Sequence, residues 1–226
     1  MNNYILLSEK KWHIKLFEFI KQKRSSENWT LINNKEDFNL EKLNQINPKK
    51  IFIPHWSYII PQQIYNNFEC VVFHMTDLPY GRGGSPLQNL IVKGHKKTKI
   101  TALKVEKGLD TGGIYLKKDL SLDGTAQEIF ERSSLIIGEM IVDILDKNIV
   151  PIPQKGTATV FKRRTPEMSN ISNLKTIDEV YDYIRMLDAE GYPHAFIEND
   201  NFKFIFTKAK NINNKTIEAN VRIIKK

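Results

Sequence analysis

The sequence predicts an α/β fold built on a mostly parallel sheet, and three observations carry that reading. Short apolar runs alternate with amphipathic stretches over the first two thirds of the chain, the pattern of strands joined by helices that cover both faces of a parallel sheet. One of those runs, Cys70-Val71-Val72-Phe73, hands His74 to the glycine-rich segment Gly81-Arg82-Gly83-Gly84. Beyond Pro151-Ile152-Pro153 the pattern changes to a smaller mixture of one helix and a few strands, predicting a first domain over 1–153 and a small α+β extension over 154–226.

The elements follow in order. Tyr4-Ile5-Leu6-Leu7 reads as a buried strand, and Lys11 to Lys23 as an amphipathic helix with Trp12, Ile14, Leu16, Phe17 and Ile20 at its apolar positions. Trp29 to Ile32 is a second strand. Phe38 to Ile46 is a short helix closed by the turn residues Asn47-Pro48. Ile51-Phe52-Ile53 is a third strand, running on into His55, and Cys70 to Phe73 a fourth. Leu87 to Val92 looks helical, while Thr98 to Lys104 and Tyr115 to Leu120 read as strands. Thr125 to Leu145 is the longest helical pattern, with Leu135 among its apolar positions and Thr125 and Glu128 spaced as a capping box. In the tail, a helix over about Ile177 to Leu187 precedes strands near Phe202 to Phe206 and Ile217 to Ile223.

Composition narrows the function. No apolar run is long enough for a membrane span, and Met1-Asn2-Asn3-Tyr4 lacks the zones of a secretory signal. The single cysteine, Cys70, excludes an internal disulfide or a cysteine metal cluster. A reducing cytoplasm is the expected home. The formal net charge of +8 is spread as scattered lysine pairs, with Lys162-Arg163-Arg164 the one compact basic cluster. That distribution reads mainly as solvated lysines and not as a nucleic-acid stripe.

A histidine at a strand exit, followed downstream by Gly108-Leu109-Asp110-Thr111-Gly112, places two titratable groups at neighbouring strand ends, where acid–base chemistry is built in open α/β sheets. Taken alone, His74 fits a core histidine and Asp110 a turn residue. His74, Leu78-Pro79, Arg82-Gly83 and Pro86, then Leu109-Asp110-Thr111-Gly112, resemble the H-x-S-L-L-P-x-x-R-G-x-x-P and L-D-T-G signatures of folate-dependent formyltransferases. Arg163-Arg164-Thr165-Pro166-Glu167, Ile184-Arg185 and Gly191 to Phe196 are similar to the tail of the sugar N-formyltransferase branch.

The resemblance implies a Rossmann-like catalytic domain that moves a formyl group from 10-formyltetrahydrofolate, without a metal, to the amine of a nucleotide-linked amino sugar. It makes His74 and Asp110 the catalytic pair. Ile59-Ile60-Pro61 and Glu106, Gly108 and Leu109 would lie along the folate, with Arg82 and Gly83 at the glycine-rich loop. The family's usual Asn, two residues before the histidine, is Val72 here. His55 is the candidate stand-in, equally readable as a surface-loop histidine packed against Trp56, with Thr76 and Asn89 weaker candidates, and Asp77 replaces a usual Leu. The alternatives are formylation of another amine, such as methionyl-tRNA, or a folate- or sugar-nucleotide-binding module without catalysis. About thirty residues after Phe196 argue against a tRNA-gripping domain, so nucleic acid is not the expected partner, and a homodimer stays open.

Overall fold

The computed structural model describes all of residues 1–226. Strands β1 (Asn3–Ser8), β2 (Asn28–Ile32), β3 (Lys50–His55) and β4 (Cys70–His74) are linked by helices α1 (His13–Lys23), α2 (Leu40–Ile46) and α3 (Gln62–Tyr65). After the two-residue strand β5 (Arg82–Gly83) and helix α4 (Pro86–Val92) come β6 (Lys97–Lys104), β7 (Ile114–Ser121) and the long α5 (Ala126–Asp146). The tail adds β8 (Val160–Phe161), a single 3-10 turn at Pro166–Ser169, α6 (Ile177–Leu187), β9 (Ala195–Glu198), β10 (Phe202–Asn213) and β11 (Thr216–Lys225).

The main sheet has the order β2-β1-β3-β4-β6-β7. Its β1–β2, β1–β3 and β3–β4 pairs are parallel, whereas β4 and β6 run antiparallel, with His74 opposite Thr101. The sheet is therefore mixed, with a parallel half that ends at Ser8, His55 and His74. Both faces of that half are dry. Ile5, Leu7, Ile51, Ile53 and Cys70 pack with Leu43 and Ile64 on one side. Tyr4, Trp29, Phe52 and Phe73 run as an aromatic row across the strands, at ring separations of 5.0, 5.9 and 6.5 Å along it. Burial of these side chains is the main favourable term holding the strand ends in place.

Helix edges follow local chemistry. Asn39 caps α2 through its side chain, accepting from the Lys42 N–H, so the helix begins after the predicted Phe38, which turns into the core. Thr125 and Glu128 form the expected capping box, with the Glu128 carboxylate accepting from the Thr125 N–H at 2.7 Å and the Thr125 hydroxyl accepting from the Glu128 N–H at 3.3 Å. Ile14 and Leu135, expected on buried helix faces, are 53% and 70% exposed.

The chain divides into two compact units that alternate along the sequence. One comprises Met1–Arg82, Lys99–Leu120 and Glu131–Val160, and the other Gly83–Thr98, Ser121–Phe130 and Phe161–Lys226. Within the second, β11-β10-β9 form an antiparallel sheet. Buried Arg185 on α6 donates to Leu122 O at 2.6 Å and Gly124 O at 2.9 Å and pairs with Asp182.

Candidate active site

His74 is the last residue of β4, and its imidazole is only 9% exposed. Nε2 donates to the carbonyl of Gly81 at 2.8 Å, and Nδ1 faces the Asp110 carboxylate at 3.6 Å. Gly81 O accepts the one hydrogen bond of the ring, and the Asp110 carboxylate stands close enough to Nδ1 to orient it. The structure thus brings His74 and Asp110 together as the sequence predicted.

Each partner is held in an unusual backbone. Gly81 turns at φ +72° and Asp110 at φ +53°, a left-handed conformation that costs a non-glycine residue about 1–2 kcal/mol. The Asp110 loop is pinned at Gly112, where a Cβ would stand 1.9 Å from the Lys104 carbonyl. No other residue fits there without moving β6. Thr111 ties the loop to itself by donating to Lys107 O at 2.9 Å.

His55 ends β3, the parallel neighbour of the strand that ends at His74, so both residues leave the same edge of the sheet. Its ring packs on Trp12 at 6.0 Å and lies 6.5 Å from His13. His13, at the start of α1, is bonded to Ser8 through Nδ1 at 2.7 Å. Burial, then the Lys10 charge, pushes His55 down to about 3. His13 falls to about 3 through burial, then the adjoining His55 and Lys10. Both are neutral imidazoles at neutral pH.

The remaining predicted residues are placed as follows. Val72 stands in mid-strand and offers no side-chain donor. Ile59 is 78% exposed, Ile60 is buried, and Pro61 precedes α3 as its N-cap. Leu109 is 56% exposed, Gly108 turns at φ +102°, and Glu106 pairs with Lys104 at 3.7 Å. Gly83 completes β5. The Arg82 guanidinium is engaged by Gln154, donating to Oε1 from Nε at 3.2 Å and Nη2 at 2.8 Å. Thr76 donates to Gly81 O at 3.3 Å, while the Asn89 amide serves Gly84, Ser85 and Lys162 carbonyls. Asp77 is ion-paired with Lys117 at 2.5 Å. No three His, Cys, Asp or Glu side chains converge as a metal site, and no helix is long and apolar enough to cross a membrane.

Sequence reasoning missed Gln154. Its signal is faint: a polar residue directly after Pro151-Ile152-Pro153, with partners more than forty residues away.

A histidine at a strand end and an aspartate on a tight loop, 3.6 Å apart beside a glycine-rich turn, make an arrangement that can handle a proton. Comparison with known proteins agrees: residues 9–133, more than half of the chain, match the family described as "Formyl transferase", and the chain belongs to that family. Residues 166–224 match "Methionyl-tRNA formyltransferase, C-terminal domain". A solved methionyl-tRNA formyltransferase from Clostridium thermocellum is 53% identical over the whole of both chains, with a TM-score of 0.97. The methionyl-tRNA formyltransferase of Thermodesulfovibrio yellowstonii is 27% identical over 77% of this chain, which spans 59% of that relative's length. A sugar N-formyltransferase from Shewanella shares the fold, with a TM-score of 0.68 over 88% of this chain and 94% of that one, at 15% identity.

These findings correct two expectations. The chain is not closest to the sugar branch, because the 53% match is to a methionyl-tRNA formyltransferase and the sugar enzyme stands at 15%. The tail motif that suggested sugar is structural here: Arg185 braces backbone carbonyls, and Arg164 bonds Ser85 and Met168. Nor does the short tail argue against nucleic acid, since it is itself matched as a methionyl-tRNA formyltransferase C-terminal domain.

Proposed function

We propose that this chain transfers the formyl group of 10-formyltetrahydrofolate to the amine of an aminoacylated tRNA, methionyl-tRNA being the acceptor its relatives' names point to. The observation that carries the reading is His74 held between Gly81 O and the Asp110 carboxylate within the matched formyl transferase segment. The amine attacks the formyl carbon, the new C–N bond forms, and the bond from that carbon to the folate N10 breaks. The proton lost by the amine ends on the departing nitrogen. His74 moves that proton, and Asp110 orients the imidazole. The neutral His55 supplies an N–H toward the developing oxyanion in place of the side chain Val72 lacks. Ile59, Ile60, Pro61 and the Glu106–Leu109 loop flank the pterin, with Arg82 and Gly83 at the adjoining loop. The net charge of +8 suits a polyanionic acceptor.

The test incubates the protein with 10-formyltetrahydrofolate and methionyl-tRNA and reads N-formylmethionine by mass spectrometry after deacylation. Product that depends on His74 and falls steeply with added salt supports the reading. Absence of product, with intact folate and charged tRNA recovered, removes it.

A further inference from the structure

The hydrogen-bond acceptor of His74 Nε2 and the carboxylate that faces Nδ1 are both fixed by one short segment that follows α5. Gln154 uses its whole amide: Oε1 accepts twice from Arg82, at 3.2 and 2.8 Å, and Nε2 donates to Asp110 O at 2.8 Å and Gly112 O at 2.9 Å. Two lone pairs and two hydrogens are all that a glutamine amide has. The orientation of that amide is fixed by its neighbours, since a flip would set NH₂ against a guanidinium and oxygen against two carbonyls. Five residues on, Thr159 Oγ1 accepts from the Gly81 N–H at 2.7 Å, and the Thr159 carbonyl accepts from the Arg82 N–H at 3.0 Å.

Two strings therefore converge on one imidazole. From Thr159 the string runs through Gly81 to Nε2, and from Gln154 through the Asp110 backbone to Nδ1. Asp110 is the point that most needs support, because its left-handed φ is not its preferred state and must be held by its surroundings. Its carboxylate must stay within reach of Nδ1, so a loop that relaxes by an ångström loses the pair.

Resting on the function proposed above, we propose that Gln154 is a positioning residue for formyl transfer, holding the Asp110 loop against His74, with Thr159 doing the same for Gly81. Gln154 touches neither folate nor acceptor in this assignment and acts through Asp110.

The experiment compares Gln154→Glu, Gln154→Ala, Thr159→Val and Thr159→Ser with the parent chain, using kcat, KM, the pH–rate profile and side-chain ¹H–¹⁵N spectra of His74. Gln154→Glu keeps the acceptors for Arg82 but sets an oxygen against two carbonyls. Its kcat falls by about 10²-fold, the loss that an ångström of misplacement brings, with KM for 10-formyltetrahydrofolate little changed. Its pH–rate profile departs from the parent's as the carboxylate drifts from the ring. Its His74 ring resonances move, while those of His95 do not. Thr159→Ser, which keeps the hydroxyl, restores what Thr159→Val loses. The proposal is overturned if Gln154→Glu and Gln154→Ala lower the melting temperature yet keep the parent's pH profile and His74 resonances. If the parent itself transfers no formyl group, the function reading fails instead, and the His74 spectra still decide whether Gln154 positions the ring.

Discussion

Two histidine settings on one sheet rim show how little a strand end decides by itself. His74 lies between two acceptors, a carbonyl and a carboxylate. One strand away, His55 and His13 share aromatic neighbours, a serine hydroxyl and the nearby charge of Lys10. His13 and His74 are buried, and His55 is half-buried. What differs is the surroundings: His74 faces a carbonyl and a carboxylate, whereas burial beside a lysine drives His55 and His13 neutral. The same residue type faces a carboxylate in one place and packs as a neutral ring in the other.

The largest way to test that contrast is to delete each ring in turn. His74→Ala should lower formyl transfer by about 10²–10⁴-fold, the worth of a positioned acid–base group, measured in the methionyl-tRNA assay at saturating folate. His55→Ala should cost about 10²–10³-fold if its neutral N–H serves the oxyanion. A rate within a factor of two of the parent would confine His55 to packing.

Next comes the pH dependence of stability. The unfolded chain protonates His13 and His55 near 6.5, but the folded chain resists until about 3. Between those values the unfolded state binds more protons, so stability is full above pH 6.5 and declines as the pH falls toward 3. The slope is at most about 1.4 kcal/mol per pH unit for each imidazole. Urea melts between pH 4 and 7 should show it, and a His13→Phe, His55→Phe double variant should flatten it. The smallest effect is Ser8→Ala, which removes the His13 bond and should cost about 1 kcal/mol in the same melts, with transfer unaltered.

Much of this was legible beforehand, and the reasons are particular. His74 and Asp110 were visible because a strand exit, a glycine-rich turn and an Asp between glycines are local patterns. The four leading strands were visible because each is a short apolar run. The direction of β6 was not, since an alternating strand looks the same whichever way it pairs. Ile14 and Leu135 sit at the flanks of apolar helix faces, where periodicity cannot tell rim from core. The β5 and β8 ribbon is only two residues on each side, too short to leave a pattern. Gln154 was hidden for another reason: its partners on the Asp110 loop are backbone carbonyls, which no residue type announces. The tail misleads because Arg164 and Arg185 resemble motif residues of the sugar branch, whereas their hydrogen bonds serve the fold.

The alternation of the two units along the chain bears on how the protein is made. Synthesis passes from one unit to the other at residues 82–83, 98–99, 120–121, 130–131 and 160–161. Neither unit is complete when the first strands leave the ribosome, and the segment bearing Gln154 and Thr159 arrives only after α5. Domains ordinarily finish in turn from the N-terminus. Here a nascent chain can pair β1 to β4 early, but the clamp around His74 closes only when roughly two thirds of the protein has been translated.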